Sequence, residues 1–111
     1  MQRQGWNQKN IGFEDAERQM AAAPHDFALD LRIDHGLATS QRFAEVVTLW
    51  DRFITAHPDD PRPYVERGGA KWKLRQFDGA IADMREACRL GLASACADVP
   101  KMREQASQRA G

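Results

Sequence analysis

Residues 61–90 read PRPYVERGGAKWKLRQFDGAIADMREACRL, and this stretch decides the fold. Its second half steps through Phe77, Ala80, Met84, Ala87 and Leu90 at intervals of three and four residues, the period of one helix face. Its first half opens on Asp60-Pro61. A proline in the first helical turn gives up no hydrogen bond, and an aspartate just before it can accept from an otherwise unpaired N–H. A residue preceding proline avoids helical geometry, so the run His57-Pro58-Asp59-Asp60-Pro61 ends whatever comes before it. Gly91 is placed to close the second half in a left-handed conformation. The spacing predicts two helices, over 61–74 and 77–90, joined by a tight turn.

Upstream, 27–60 repeats this pattern when it is set position by position above 61–94. Phe43 falls on Phe77, Val46 on Ala80, Trp50 on Met84, Phe53 on Ala87 and Ala56 on Leu90. Pro24 and Pro58 are separated by the same offset, and each proline precedes a polar turn, His25-Asp26 and Asp59-Asp60. Helices are therefore expected over 27–38 and 42–56, with Gly36, Thr39 and Ser40 suited to the turn between them. Beyond the second copy, 93–107 predicts a capping helix interrupted near Pro100, with Ala95, Val99 and Met102 covering the last hairpin. Such a cap is needed because a stack of hairpins otherwise leaves its final apolar face open. Residues 13–20 suit a short N-terminal helix with Phe13, Ala16 and Met20 on one side, and 1–12 read as a linker or tail. The expected architecture is all-α, a solenoid of two helical hairpins in one domain over 13–111, with repeats about 27–60 and 61–94.

Composition narrows the function classes. With 42% apolar and 29% charged residues the chain is too apolar for disorder and too polar for a membrane protein. No apolar run approaches the ~20 residues that span a bilayer. The opening MQRQGWNQ lacks the apolar core of a signal peptide. Sixteen basic and sixteen acidic residues cancel, leaving no net field to draw in nucleic acid or an acidic membrane. Charge is uneven all the same: between Arg62 and Arg75 five basic residues face one acid, Glu66, which reads as a solvated helix face balanced by a neighbour. The three histidines are scattered, Cys-x-x-Cys is absent, and neither a glycine-rich phosphate loop nor a nucleophile elbow occurs. No enzyme activity, cofactor or metal is expected.

The stretch 61–90 resembles a tetratricopeptide repeat (TPR). That family places an aromatic early in its first helix, a small residue one turn later, a packing residue before the turn, and an aromatic-x-x-small pattern in its second helix. Tyr64, Gly68, Leu74, Phe77 and Ala80 stand at those positions, followed by Met84, Ala87 and Leu90. Gly68 and Ala80 have the physical task of letting two helix backbones approach. In such a hairpin Arg67 and Asp83 face each other, a charge pair that would hold the helices in register. The first copy departs from the pattern: Asp30 and Asp34 stand where an aromatic and a small residue are expected, and Val46 replaces alanine. The resemblance covers about 65 of the 111 residues. Two repeats are fewer than the ~3 that usually make an independent solenoid, so the terminal helices, a second copy (a homodimer) or the rest of a longer polypeptide are expected to complete the core.

Cys88 and Cys96 make a Cys-x7-Cys spacing that is similar to cysteine-rich, secreted relatives of the TPR, and the resemblance implies a disulfide between them. Two reduced thiols filling small core sites are the alternative, and the residues alone leave both open. A disulfide would imply an oxidising location such as the periplasm, and reduced thiols the cytoplasm.

The resemblance also implies a concave groove, lined by the first helix of each hairpin, that binds a peptide or partner helix. The candidate partner-binding residues are Arg32, His35, Arg62, Glu66, Trp72 and Lys73, with Leu31, Thr39, Val65 and Gly69 beside them. Arg32, Arg62 and Lys73 suit an acidic peptide; Trp72 suits an apolar anchor, or equally packing against a flanking helix. The family's variant for gripping a C-terminal carboxylate uses lysine and asparagine where Leu31, His35, Val65 and Gly69 stand, so that mode is not implied. The expected function is a non-catalytic protein-interaction module, and the alternative is an accessory segment within a larger polypeptide. Expected partners are a protein or peptide, with neither nucleic acid nor membrane insertion.

Overall fold

The structure is a computed structural model and describes residues 26–110. Five helices follow one another in that span: α1 (Phe27–Thr39), α2 (Phe43–Ala56), α3 (Arg62–Lys73), α4 (Phe77–Arg89) and α5 (Ala93–Ala110). Each packs on its neighbour in sequence, α1 on α2, α2 on α3, α3 on α4 and α4 on α5. Among the described residues there is no strand, and no helix is long and apolar enough to cross a membrane. The tail expected over 1–12, the helix over 13–20 and the turn at Pro24-His25 lie outside the described residues.

Helix starts follow the local chemistry. The Asp26 carboxylate accepts from the Leu29 N–H at 3.0 Å and caps α1. Asp60 accepts from the Arg62 N–H at 3.0 Å ahead of α3, with Pro63 seated where no intrahelical donor is needed. The ends of α1, α3 and α4 share one device. Arg42, Gln76 and Leu92 donate their N–H groups back to the carbonyls of Leu37, Lys71 and Ala87, at 2.8, 2.9 and 3.0 Å. The preceding residues, Gln41, Arg75 and Gly91, adopt φ of 58°, 63° and 107°. This is the Schellman arrangement, which satisfies the last carbonyls through one left-handed residue. The first turn therefore lies at Ser40-Gln41. Gly36 takes no part in it and is buried inside α1. A side chain in that conformation costs about 1–2 kcal/mol, part of which glycine returns as extra entropy of the unfolded chain. Gln41→Gly is expected to raise stability by about 0.5–1 kcal/mol, read as a Tm increase of several degrees for a domain this size.

The break expected near Pro100 does not occur, and α5 runs through it. Proline has no N–H to return to the Cys96 carbonyl, but Cys96 and Pro100 are both exposed, so water meets the orphaned group. Cys88, near the end of α4, and Cys96, in the first turn of α5, are joined by a disulfide across the Gly91 turn, with a Cα–Cα distance of 4.7 Å. A loop this short constrains the unfolded chain by about 2–3 kcal/mol.

Two apolar clusters fill the stack. The first joins Ile33 and Leu37 of α1 to Val46, Leu49, Trp50 and Phe53 of α2 and Ala70 of α3. Phe27 closes it with ring centroids 5.2 Å from Trp50 and 5.6 Å from Phe53. The second joins Tyr64, Met84, Ala87 and Ala95, with Val99 and Met102 of α5 packed against it.

The two hairpins close their seams differently. Between α3 and α4, Gly68 lies against the Ala80 carbonyl; an added Cβ would sit 3.2 Å from that oxygen and 3.3 Å from Asp83 Cβ. Arg67 donates to both Asp83 oxygens at 2.9 and 2.7 Å, and to Asp51 of α2 at 2.8 Å. Between α1 and α2, Asp34 occupies the place of Gly68, and the buried Trp50 indole N–H donates to Asp34 Oδ2 at 2.6 Å. The adjacent glycines of α3 are expected to respond oppositely to alanine. Gly68→Ala forces a methyl against backbone and costs about 1–3 kcal/mol. Gly69→Ala meets nothing within 4 Å and gains about 0.5–1 kcal/mol of helix propensity. Chemical denaturation of the two variants checks both signs.

Candidate functional site

A cleft of about 200 Å³ opens where the first helices of the two hairpins run side by side. Asp34 and Ala38 line it from α1, Phe43 and Val46 from α2, and Glu66, Gly69, Ala70 and Lys73 from α3. Four of these side chains make an apolar wall, and Gly69 keeps the mouth wide because nothing projects from it. The charged groups are arranged unequally. Asp34 is almost wholly buried and faces the cleft beside the Trp50 hydrogen bond. Burial pushes its carboxyl above the usual range, while Trp50 and then His35 pull it back. Glu66 is half-buried; burial raises its carboxyl first, the Asp34 charge raises it further, and His35 opposes both. Two carboxyls thus lie close together in a partly dry setting, with Lys73 along the same helix face. The arrangement offers a small apolar recess with carboxyl acceptors among its lining residues.

The residues singled out by the sequence fall in three places. His35, Glu66 and Lys73 belong to the cleft or to its electrostatics. Arg62, one helix end away, is ion-paired with Asp60 at 2.6 Å, and its guanidinium lies 4.1 Å from the Phe27 ring centroid. That hydrogen bond holds the Asp60 carboxyl below its ordinary range. Trp72 is half-buried on another side of α3, its ring 4.8 Å from Phe77 and 5.8 Å from the Arg109 guanidinium of α5. Arg32 is exposed on α1. Tyr64, Arg67, Gly68, Phe77, Ala80, Asp83 and Ala87 sit within or beside the second hairpin; Tyr64 donates its hydroxyl to the Pro58 carbonyl at 3.1 Å. Asp34, Ala38, Phe43, Val46 and Ala70 are the cleft residues that sequence reasoning did not assign to it. Asp34 had already stood out as the departure from a small residue, and a carboxylate replacing a seam glycine was the signal available.

No family model and no curated protein matches this sequence. A solved structure does: the first TPR of Spaghetti (RPAP3) bound to HSP90 peptide SRMEEVD aligns with a TM-score of 0.68. The alignment covers 86% of this chain and 77% of that one at 16% sequence identity. The fold is TPR-like. The helical hairpins, the small residues at the α3–α4 seam and the terminal helix α5 all take their sense from that architecture. Nothing in the comparison supports the expectation of a homodimer.

Proposed function

We propose that this chain is a non-catalytic protein-interaction module that takes a peptide or partner helix in the cleft between α1 and α3. The observation that supports this most is the cleft itself, a recess between first helices with an apolar wall and carboxyl acceptors among its lining residues. The TPR-like neighbour carries a peptide in its own structure, which makes the fold compatible with such a role. The chemistry of this groove is its own. Arg62 is already engaged by Asp60, so acidic residues of a partner would meet Arg32 and Lys73 at the rim. The centre, with Asp34 and Glu66, favours a basic side chain next to an apolar one, because that charge relieves two neighbouring carboxyls. The partner is thus a segment of mixed charge read along its length, not a free C-terminal carboxylate.

The experiment is selection of a displayed peptide library on the native chain, repeated with Gly69→Trp. The Cβ of residue 69 has open space, so this substitution plugs the cleft while leaving the helical spectrum unchanged. Enriched sequences are expected to carry Lys or Arg beside an apolar residue and to lose binding to the plugged variant. Enrichment that survives the plug would place binding elsewhere and end this reading.

A further inference from the structure

A second trench runs along α4 where it meets α5, and it shares no residue with the cleft just described. Three adjoining hollows form it, of about 440, 290 and 420 Å³. Asp78, Ile81 and Arg103 are common to the first two, and Ala82 and Arg85 to the second and third, so the depression is continuous. Its floor is apolar, from Phe77, Ile81 and Ala106. The first hairpin shows what such a surface does inside the stack. Phe43 and Val47 are the counterparts of Phe77 and Ile81 in the first copy, and both pack against the cluster that includes Ala70 of α3. Phe77 and Ile81 are half-buried like those counterparts, but they join neither apolar cluster. In the first copy the helix that follows is α3, which reaches that cluster through Ala70; here α5 stands in the same place, and it is the last helix described.

Charge says what would cover them. Arg75, Arg85 and Arg103 edge the trench, and among the described residues none of the three takes part in an ion pair. Arg75 leans on the Phe77 ring, its guanidinium 5.3 Å from the centroid. Asp78 is the one acid among these three arginines; farther along, Glu86 is occupied by Arg89. We infer that this trench is a second binding surface, which takes an acidic amphipathic helix of a partner protein. The partner's apolar stripe covers Phe77 and Ile81, and its carboxylates pair with Arg75, Arg85 and Arg103. From residue 77 to 85 the trench spans about 12 Å of α4, so a partner helix of roughly two to three turns is long enough. Guanidinium groups favour this role because they pair with carboxylates in a bidentate fork and are weakly hydrated.

The test uses the full chain and a defined probe: a fluorescein-labelled, helix-forming peptide with leucines at i, i+4 and i+7 flanked by glutamates. Its control is a scrambled peptide of identical composition. Fluorescence anisotropy is expected to show at least about tenfold tighter binding of the amphipathic order. The double variant Arg85→Glu/Arg103→Glu should weaken it by about tenfold or more, while Gly69→Trp leaves it unchanged. Both arginines are exposed, so the double variant keeps its helical spectrum, and backbone amide shifts on titration should cluster around Phe77, Ile81 and Arg103. Equal binding of both peptides, or an unaffected double variant, overturns the proposal. So does equal competition by a short single-stranded DNA, which would make the trench a general anion patch. Self-association lost in the double variant would give the trench to a second copy and overturn it as well.

Discussion

At pH 8, Asp30→Asn is expected to be more stable than the native chain by about 4 kcal/mol, and near pH 4 the two should be nearly equal. Asp30 holds in the first hairpin the position that Tyr64 holds in the second. Tyr64 reaches a carbonyl with its hydroxyl. Asp30 is too short for that, is fully buried, and among the described residues neither carboxyl oxygen has a hydrogen-bond partner. Burial, with the Asp26 charge adding to it, raises its pKa from 3.8 to about 7. A folded pKa above the unfolded one means the folded chain holds the proton longer. Stability therefore falls as pH rises from about 4 to about 7 and stays lower beyond it. At about 1.36 kcal/mol for each pH unit of separation the loss comes to about 4 kcal/mol. Asparagine has nearly the same shape and never ionises, so it removes the pH-dependent part while keeping the neutral cost of an unpaired buried group. Urea unfolding between pH 4 and 8 measures both slopes. Asp34 and Glu66 are also raised by burial, so the variant keeps a shallower slope of the same sign. A native profile that stays flat over this range would rule out a buried, unpartnered Asp30.

The second hairpin was legible in the sequence because short-range spacing writes its determinants. Phe77, Ala80, Met84 and Ala87 repeat at the helical period, Gly68 stands opposite Ala80, and Gly91 marks a left-handed end. The first hairpin hides the same architecture behind substitutions whose reasons are long-range. Asp34 in place of a seam glycine makes sense only with Trp50 of the next helix, since the indole N–H is what admits a carboxyl there. The turn at Ser40-Gln41 was misplaced because Gln41 and Arg75 adopt left-handed conformations that glycine usually signals. Pro100 misled in the opposite direction: its effect on α5 depends on whether the orphaned carbonyl reaches water, which sequence does not state. The cleft was half visible. The family resemblance placed Glu66, Gly69 and Lys73 in a groove, but Phe43 and Val46 belong to the hairpin's second helix and enter only through packing. Trp72 was left open between anchor and packing residue, and its place beside Phe77 and Arg109 depends on where α5 lies.

Arg67→Ile should cost about 3 kcal/mol, and adding Asp83→Leu should restore most of that loss. Asp83 is 4% exposed and depends on Arg67 for two short hydrogen bonds. Removing the guanidinium leaves a buried carboxylate with Lys71 at 3.2 Å as its remaining cation. Breaking a buried pair on one side costs about 3–5 kcal/mol, because desolvation of the survivor is no longer offset, and Lys71 holds the effect to the low end. Replacing both charges is a different matter, since well-packed apolar groups often match or exceed a buried ion pair. The chain already contains that experiment. One repeat upstream the same two positions are Ile33 and Leu49, both buried in the first core cluster. The double variant thus rebuilds in the second hairpin a seam that the first one uses. What it cannot restore is the link from Arg67 to Asp51, which ties the second hairpin to α2 at 2.8 Å. Asp51 is half exposed, so this bridge is worth no more than about 1 kcal/mol. A double-mutant cycle by chemical denaturation should return a coupling energy of about 2–3 kcal/mol. Additive losses would mean that Arg67 and Asp83 do not depend on each other, and that helix register in the second hairpin rests on Gly68 and Ala80 alone.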